Sequence, residues 1–193
     1  MKLVHATNVH PWGDTRIFVK MASTAAANGI DTYLVAIDPS ARDRREFEKN
    51  GVNVILLPGL DIKGRLRRAT AGARRVVAVA EALRPDFIHF HDPEMLPYLV
   101  RSKARVIYDV HEDLPRQISQ KNWIPGVLRP AVSGIAGMAE AIGARSMHRI
   151  VAATPTIAER FPKQKTITVR NFPVAEEILS ETGAPYGERK EVF

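Results

Sequence analysis

Cysteine is absent from the 193 residues, so the chain has no disulfide framework, no thiolate metal site and no thiol nucleophile. Long apolar runs are missing as well. The N-terminus, Met1-Lys-Leu-Val-His-Ala-Thr7, meets a polar loop at Asn8 and lacks the apolar stretch of roughly 7–15 residues that marks a signal peptide. The longest small-apolar run, Ala131 to Ala144, contains Ser133, Glu140 and several glycines and is too short to span a bilayer. The expectation is a cytoplasmic protein, at most peripheral to the inner face of a membrane. No Gly-x-Gly-x-x-Gly follows the first strand, which disfavours a nicotinamide or flavin dinucleotide. The net charge is +7 and the pI about 9.9, yet no nucleic-acid recognition motif or aromatic-basic interleaving occurs, so nucleic acid is not an expected partner.

What is present is alternation. Apolar strand-like runs at Lys2–Thr7, Asp31–Ile37, Val52–Leu57, Asp86–Phe90, Arg105–Asp109, Arg149–Ala153 and Thr166–Arg170 are separated by helical patterns. Those patterns cover Thr15–Asn28, Lys63–Leu83, Pro93–Ser102, a pair between Arg116 and Met147, and Pro155–Phe161. With 45% hydrophobic residues the chain can bury a real core, and this order predicts an α/β fold: a doubly wound, mostly parallel sheet with helices on both faces. Gly29 and Gly51 are read as C-terminal caps of helical stretches. After Pro173 the periodicity fades into polar residues with Gly183, Pro185 and Gly187. Residues 1–173 therefore read as one domain, and 174–193 as a linker leading to a further one.

Three segments carry chemistry: His10-Pro-Trp-Gly-Asp-Thr-Arg16, His89-Phe-His-Asp-Pro-Glu94 and Tyr108-Asp-Val-His-Glu-Asp113. Each puts His, Asp or Glu where a strand hands over to a helix, the place where an open α/β sheet builds its ligand crevice. Alternation sets Phe87, His89 and His91 on one face of a strand, where Val, Ile or Leu would be ordinary. Two imidazoles there need partners or a ligand. Gly13 precedes the helix at Thr15 and would let backbone N–H groups approach a diphosphate. His91, Asp92 and Glu94 suit the hydroxyl groups of a ligand, since carboxylates accept and imidazole does either. Asp92 and Asp14 also qualify as N-caps of the helices that follow them. The same His/Asp/Glu cluster could instead serve a Zn²⁺- or Mn²⁺-dependent hydrolase.

The Gly-containing first loop, the Pro-Asp-Phe-Ile-His-Phe-His-Asp strand, Tyr-Asp-Val-His-Glu, Val-Ala-Ala-Thr-Pro-Thr-Ile-Ala and Val-Arg-Asn-Phe-Pro occur in a fixed order over Lys2–Pro173. Together they resemble the N-terminal half of glycosyltransferase family 4. The resemblance implies a GT-B architecture of two Rossmann-like domains and a retaining transfer from a nucleotide-sugar to a saccharide or lipid-linked acceptor, as in polysaccharide biosynthesis, with no metal or cofactor. It implies that this half, alone, is inactive, because the other half holds most of the nucleotide. By the same resemblance His111 bonds the donor sugar near the reacting centre and Gly13 and Asn171 face the donor. His91, Asp92, Glu94, Glu112, Trp12, Asp14 and Arg16 fall to the acceptor side, with Trp12 standing where relatives often carry a second glycine. A stand-alone carbohydrate- or partner-binding module is the other class left open.

Charge is concentrated in the second helical pattern, Lys63–Leu83. Between Asp61 and Arg84 there are seven Lys and Arg against two acidic residues. At about 100° per residue, Leu66, Val76, Val77 and Leu83 share one arc, and Arg67, Arg68, Arg74 and Arg75 fall opposite. That is either a solvated face of a sheet-covering helix or a surface for anionic lipid. The segment Lys121–Leu128 adds Trp123 and aliphatics suited to the same interface.

Overall fold

The computed structural model describes residues 1–62, 65–121 and 124–173, the side chains of Arg65, Leu66 and Arg68 excepted. The expected linker at 174–193, Trp123, and the side-chain placements of Leu66 and Arg68 lie outside the described residues.

Among the described residues eight strands form one sheet: β1 (Lys2–Thr7), β2 (Asp31–Asp38), β3 (Arg45–Lys49), β4 (Val52–Pro58), β5 (Phe87–Phe90), β6 (Arg105–Val110), β7 (Arg149–Ala152) and β8 (Thr166–Thr168). Their spatial order is β3-β4-β2-β1-β5-β6-β7-β8, parallel throughout except for β3 against β4. Chain direction reverses across the sheet at β1 and β5: earlier crossovers run one way and later ones the other. Their C-terminal ends therefore diverge into a crevice.

Strand β3 corrects the sequence reading, which placed no strand there and took Gly51 as a helix cap. Asn50 and Gly51 sit at φ 53° and 72°, the left-handed pair of a two-residue hairpin turn joining β3 to β4. All five residues of β3 are exposed, so no buried face marks it as a strand. Gly29, at φ 75°, does end a helix, with its N–H bonded to the Ala26 carbonyl at 2.9 Å.

Helices cover the two faces unequally. α1 starts as a π-helix (Thr15–Ala22) and continues as an α-helix (Ser23–Ala27). It packs Ile17, Phe18 and Ala22 on Leu34, Ala36 and Leu56. The opposite face carries α2 (Arg65–Ala82), α3 (Leu96–Leu99, entered through a 3₁₀ turn at Pro93–Met95) and α5 (Arg129–Ala144). Short α4 (Leu114–Ser119) and α6 (Pro155–Ala158) follow β6 and β7. The larger core lies here: Val4, Ile88, Phe90, Tyr108 and Ile150 from the sheet meet Val76 and Leu96 from the helices. As expected of α2, Val76 and Val77 are buried while Arg67 and Arg74 are exposed. Arg75 departs from that arrangement: it is half-buried, and its Nη1 donates to the Pro58 carbonyl at 3.1 Å.

Candidate functional site

The alternation of β1 puts Leu3, His5 and Thr7 on one face, and that of β5 puts Phe87 and His89 there with His91 just beyond. His5 pairs with His89 in register, so three imidazoles meet on the sheet surface, with centroids 5.0 Å apart for His5–His89 and 4.8 Å for His89–His91. Burial, then the neighbouring imidazoles, lowers His5 well below its ordinary value and His89 to about 3, so both are neutral. No hydrogen-bond partner reaches Nε2 of either ring.

Asp109, fully buried at the end of β6, anchors this cluster. Arg16 Nε and Nη2 donate to its two oxygens at 2.9 and 2.6 Å, and His91 Nδ1 donates at 3.0 Å. Burial pushes this carboxyl up, but the Arg16 hydrogen bonds and the adjacent His111 and His91 imidazoles hold it well below the carboxylate range. With Nδ1 spent on Asp109, His91 presents Nε2 as an acceptor to His5 Nδ1 at 3.2 Å, a tautomer assigned from the network.

A second anchor forms where β1 ends. Asp92 is buried and accepts from Thr7 Oγ1 (2.8 Å), Asn8 N (2.7 Å) and Val9 N (3.3 Å), and pairs with His10 Nδ1 at 2.8 Å. The hydrogen bond to Asp92 raises the His10 pKa, favouring its charged form. His10 Nε2 lies 3.1 Å from His111 Nε2, a hydrogen bond whose donor depends on the tautomers, while His111 Nδ1 stands 3.4 Å from Asp109, an ion-pair distance rather than a well-formed hydrogen bond. One chain of groups thus runs from Asp92 through His10 and His111 to Asp109, His91 and His5.

A cavity of about 970 Å³ opens over these strand ends, with His10, Asp92, Glu94, His111 and Glu112 in its wall. It is of a size that holds a small ligand. Glu94 is half-buried, its Oε2 has no partner, and burial raises its pKa. Glu112 is exposed on the rim.

Several residues assigned to the acceptor are occupied otherwise. The His91 side chain is fully buried with both ring nitrogens bonded, and Asp92 spends its oxygens on the β1 loop without capping the helix after it. Asp14 caps α1, accepting from the Arg16 and Ile17 N–H groups at 2.9 Å each. Arg16 is locked on Asp109 and, through Nη1, on the Val169 carbonyl at 3.1 Å. Trp12 packs edge-on against Phe18 and Phe47, outside the cavity wall. Asn171 Oδ1 accepts from Lys20 Nζ at 2.7 Å on the surface, and Gly13 is exposed with nothing within 4 Å of the Cβ it lacks. His5, His10 and Asp109 were not picked out from the sequence as site residues. The signal for them was present: His5 shares the face parity of Thr7, and His10 and Asp109 stand inside two of the three chemistry-bearing segments.

Two groups among the described residues could hold a metal ion, His5/His89/His91 and His91/Asp109/His111. His91 in both, and Asp109 in the second, already serve protein partners, so a cation would have to displace the His5 contact in the first and the Arg16 contact in the second.

The parallel sheet with its crevice between β1 and β5, walled by His and carboxylates, defines a Rossmann-like α/β domain with a ligand crevice at its switch point. Residues 13–171 match the Glycosyl transferase 4-like domain, and the chain belongs to that family. No curated protein matches it in sequence. Among solved structures it is similar to sucrose-phosphate synthase from Thermosynechococcus elongatus (14% identity, TM-score 0.62), covering 93% of this chain and 52% of that one. It is also similar to Glycyrrhiza uralensis UGT73P12 complexed with glycyrrhetinic acid 3-O-monoglucuronide (12%, TM-score 0.58, 94% and 50%). A third is Anabaena HepE in complex with UDP and glucose (15%, TM-score 0.55, 88% and 44%). These identities carry the fold, that of one Rossmann-like domain of a GT-B glycosyltransferase, and the chain spans about half the length of the structures it matches.

Proposed function

We propose that this chain is the acceptor-side half of a retaining glycosyltransferase that moves a sugar from a nucleotide-sugar to a saccharide or lipid-linked acceptor, and that it is inactive without its second half. The observation that carries this reading is the cavity at the β1/β5 switch point, where Glu94 and Glu112 offer carboxylate oxygens beside His111. HepE, of the same fold, is described with UDP and glucose, which supports a nucleotide-sugar as donor.

Within this reading the buried groups position and the cavity groups bind. Asp109, held by Arg16, fixes the backbone at the end of β6 and so the place of His111. Asp92 does the same for the loop after β1 and for His10. His10, whose pKa Asp92 raises, stands with Nε2 3.1 Å from His111 Nε2, so a donor sugar that engages His111 meets a ring already oriented. Glu94, with a free oxygen in a half-buried setting, accepts a hydrogen bond from an acceptor hydroxyl and aims it.

The test is kinetic and uses the longer enzyme that pairs this domain with a second Rossmann-like one. His111→Ala should lower kcat far more than it weakens donor binding, because the contact matters most as the bond to the leaving phosphate breaks. Unchanged kcat would move His111 to a structural role. A reading frame that stops at Phe193 would favour the binding module instead.

A further inference from the structure

Helix α5 is amphipathic the wrong way round. Its inner face presents Ser133 and Glu140 to the domain: Ser133 Oγ donates to the Pro115 carbonyl at 2.8 Å, and buried Glu140 accepts from Tyr108 Oη at 2.8 Å and from Arg160. Its outer face is apolar. Ile135, Met138 and Ile142 are 69, 65 and 58% exposed, and Val127, just before the helix, is 86% exposed. At about 100° per residue, Ala131, Val132, Ile135, Met138, Ala139 and Ile142 fill one outward arc of about 120° that contains no acidic residue.

Rolling the helix does not relieve this. A Cβ on Gly143 would come within 1.8 Å of Leu96 Cδ2, and one on Gly137 within 2.9 Å of Pro115 Cγ, so the inner face is seated too closely to turn. Turning it would also expose Glu140 and break its bonds to Tyr108 and Arg160. The apolar arc is the face this sequence is built to show.

We propose that the outer face of α5 rests in the interfacial layer of an anionic membrane. The occupant follows from charge. Between Leu114 and Arg149 there are five Lys and Arg and a single acidic residue, the buried Glu140. Arg116, Lys121, Arg145 and Arg149 are exposed in this segment, Arg116 in an ion pair with Asp113. An apolar face in a segment with a surplus of cations matches acyl chains under anionic headgroups, whereas a second copy would bring cations against cations. The layer continues sideways, because α3 packs between α5 and α2, whose Arg67 and Arg74 are also exposed. With 16 residues, α5 lies on a membrane rather than across one, and no helix among the described residues is long and apolar enough to cross. This inference rests on the function proposed above and deepens its acceptor side, choosing a lipid-linked acceptor, presented in the membrane, over a soluble saccharide.

Sedimentation with vesicles of phosphatidylcholine containing phosphatidylglycerol, against phosphatidylcholine alone, tests it on the full chain. The chain should pellet with the anionic vesicles at low salt and not with the neutral ones. Ile135→Glu with Ile142→Glu should weaken partitioning by about tenfold or more while the thermal melt stays unchanged, since both side chains contact solvent. The milder pair Ile135→Gln and Ile142→Gln should lie between. Reversing Arg67 and Arg74 should weaken binding mainly at low salt, as screening predicts. A chain that ignores anionic vesicles at low salt, or apolar-face variants that bind like the parent, would overturn the proposal. So would light scattering that shows a dimer which the same variants dissociate. In the longer enzyme, the Glu pair should lose transfer to a vesicle-borne acceptor and keep transfer to a soluble analogue. Absence of any transfer in the parent would refute the function and leave the vesicle result standing.

Discussion

Replacing His89 by Phe isolates what a buried imidazole costs this fold in acid. His89 is 7% exposed, its Nε2 is without a partner, and burial followed by the nearby His91 brings its pKa from 6.5 to about 3. In the unfolded chain the same group titrates near 6.5. Between those values the unfolded state binds a proton that the folded state refuses, so stability must rise with pH in that window and fall as the solution is acidified. The limiting slope for one such group is about 1.4 kcal/mol per pH unit, and at pH 5 the loss is about 2 kcal/mol, a sizeable part of the roughly 5–15 kcal/mol that holds a domain together. His5, lowered for the same reason, adds to that slope in the unmodified protein. Urea melts at a series of pH values from about 7.5 down to about 4 give the profile directly. His89→Phe should flatten it by about 1.4 kcal/mol per pH unit below pH 6.5. His89→Gln, which also cannot titrate but fills less space, should flatten it equally. If both variants keep the parent slope, His89 is not held neutral and the argument from burial fails.

Arg16→Met should destabilise the domain by about 3–5 kcal/mol at pH 7, because it strips the buried Asp109 carboxylate of its main partner. A loss under about 1 kcal/mol in the same urea assay would show that the pair does not brace the sheet end. The stability Asp109 contributes, with its folded pKa depressed, is present above about pH 4 and fades as the pH falls through the folded value. Elemental analysis of the purified chain should find no stoichiometric Zn²⁺ or Mn²⁺, and about one ion per chain would reopen the metal-hydrolase reading.

The parts of the fold that a linear sequence announces are those with a buried face on one element. The apolar runs of β1, β2, β4 and β6 and the Val76/Val77 stripe of α2 could be read because burial writes its period into the chain. Strand β3 could not, since all five of its residues are exposed and its pairing depends on the Asn50-Gly51 turn, whose glycine equally suits a helix end. Helix α5 was readable as a helix but not as to its orientation, for its polar residues point inward. The site shows the same division. His89, His91, Asp92, Glu94 and His111 stood out as unusual residues at strand ends. That Asp92 and His91 brace while Glu94 faces the cavity depends on which donors lie across the sheet, and His5 joined the cluster only through its register with His89. Pairing between strands 84 residues apart leaves no trace in local periodicity.

The Arg16 guanidinium touches Asp109, 93 positions along the chain, and the Val169 carbonyl, 153 positions along. During synthesis from the N-terminus, α1 is therefore made long before either partner exists. Any nascent intermediate that docks α1 on β2 and β4 must leave Arg16 solvated at its edge. Completion of β6 is the earliest moment at which the guanidinium can be withdrawn from water, and the residues after β8 close the last bond. The contact is a latch that shuts at the end. A fragment truncated ahead of Asp109 keeps both hydrophobic partners of α1 yet has no way to bury its arginine, so it should be held in solution with α1 only loosely seated.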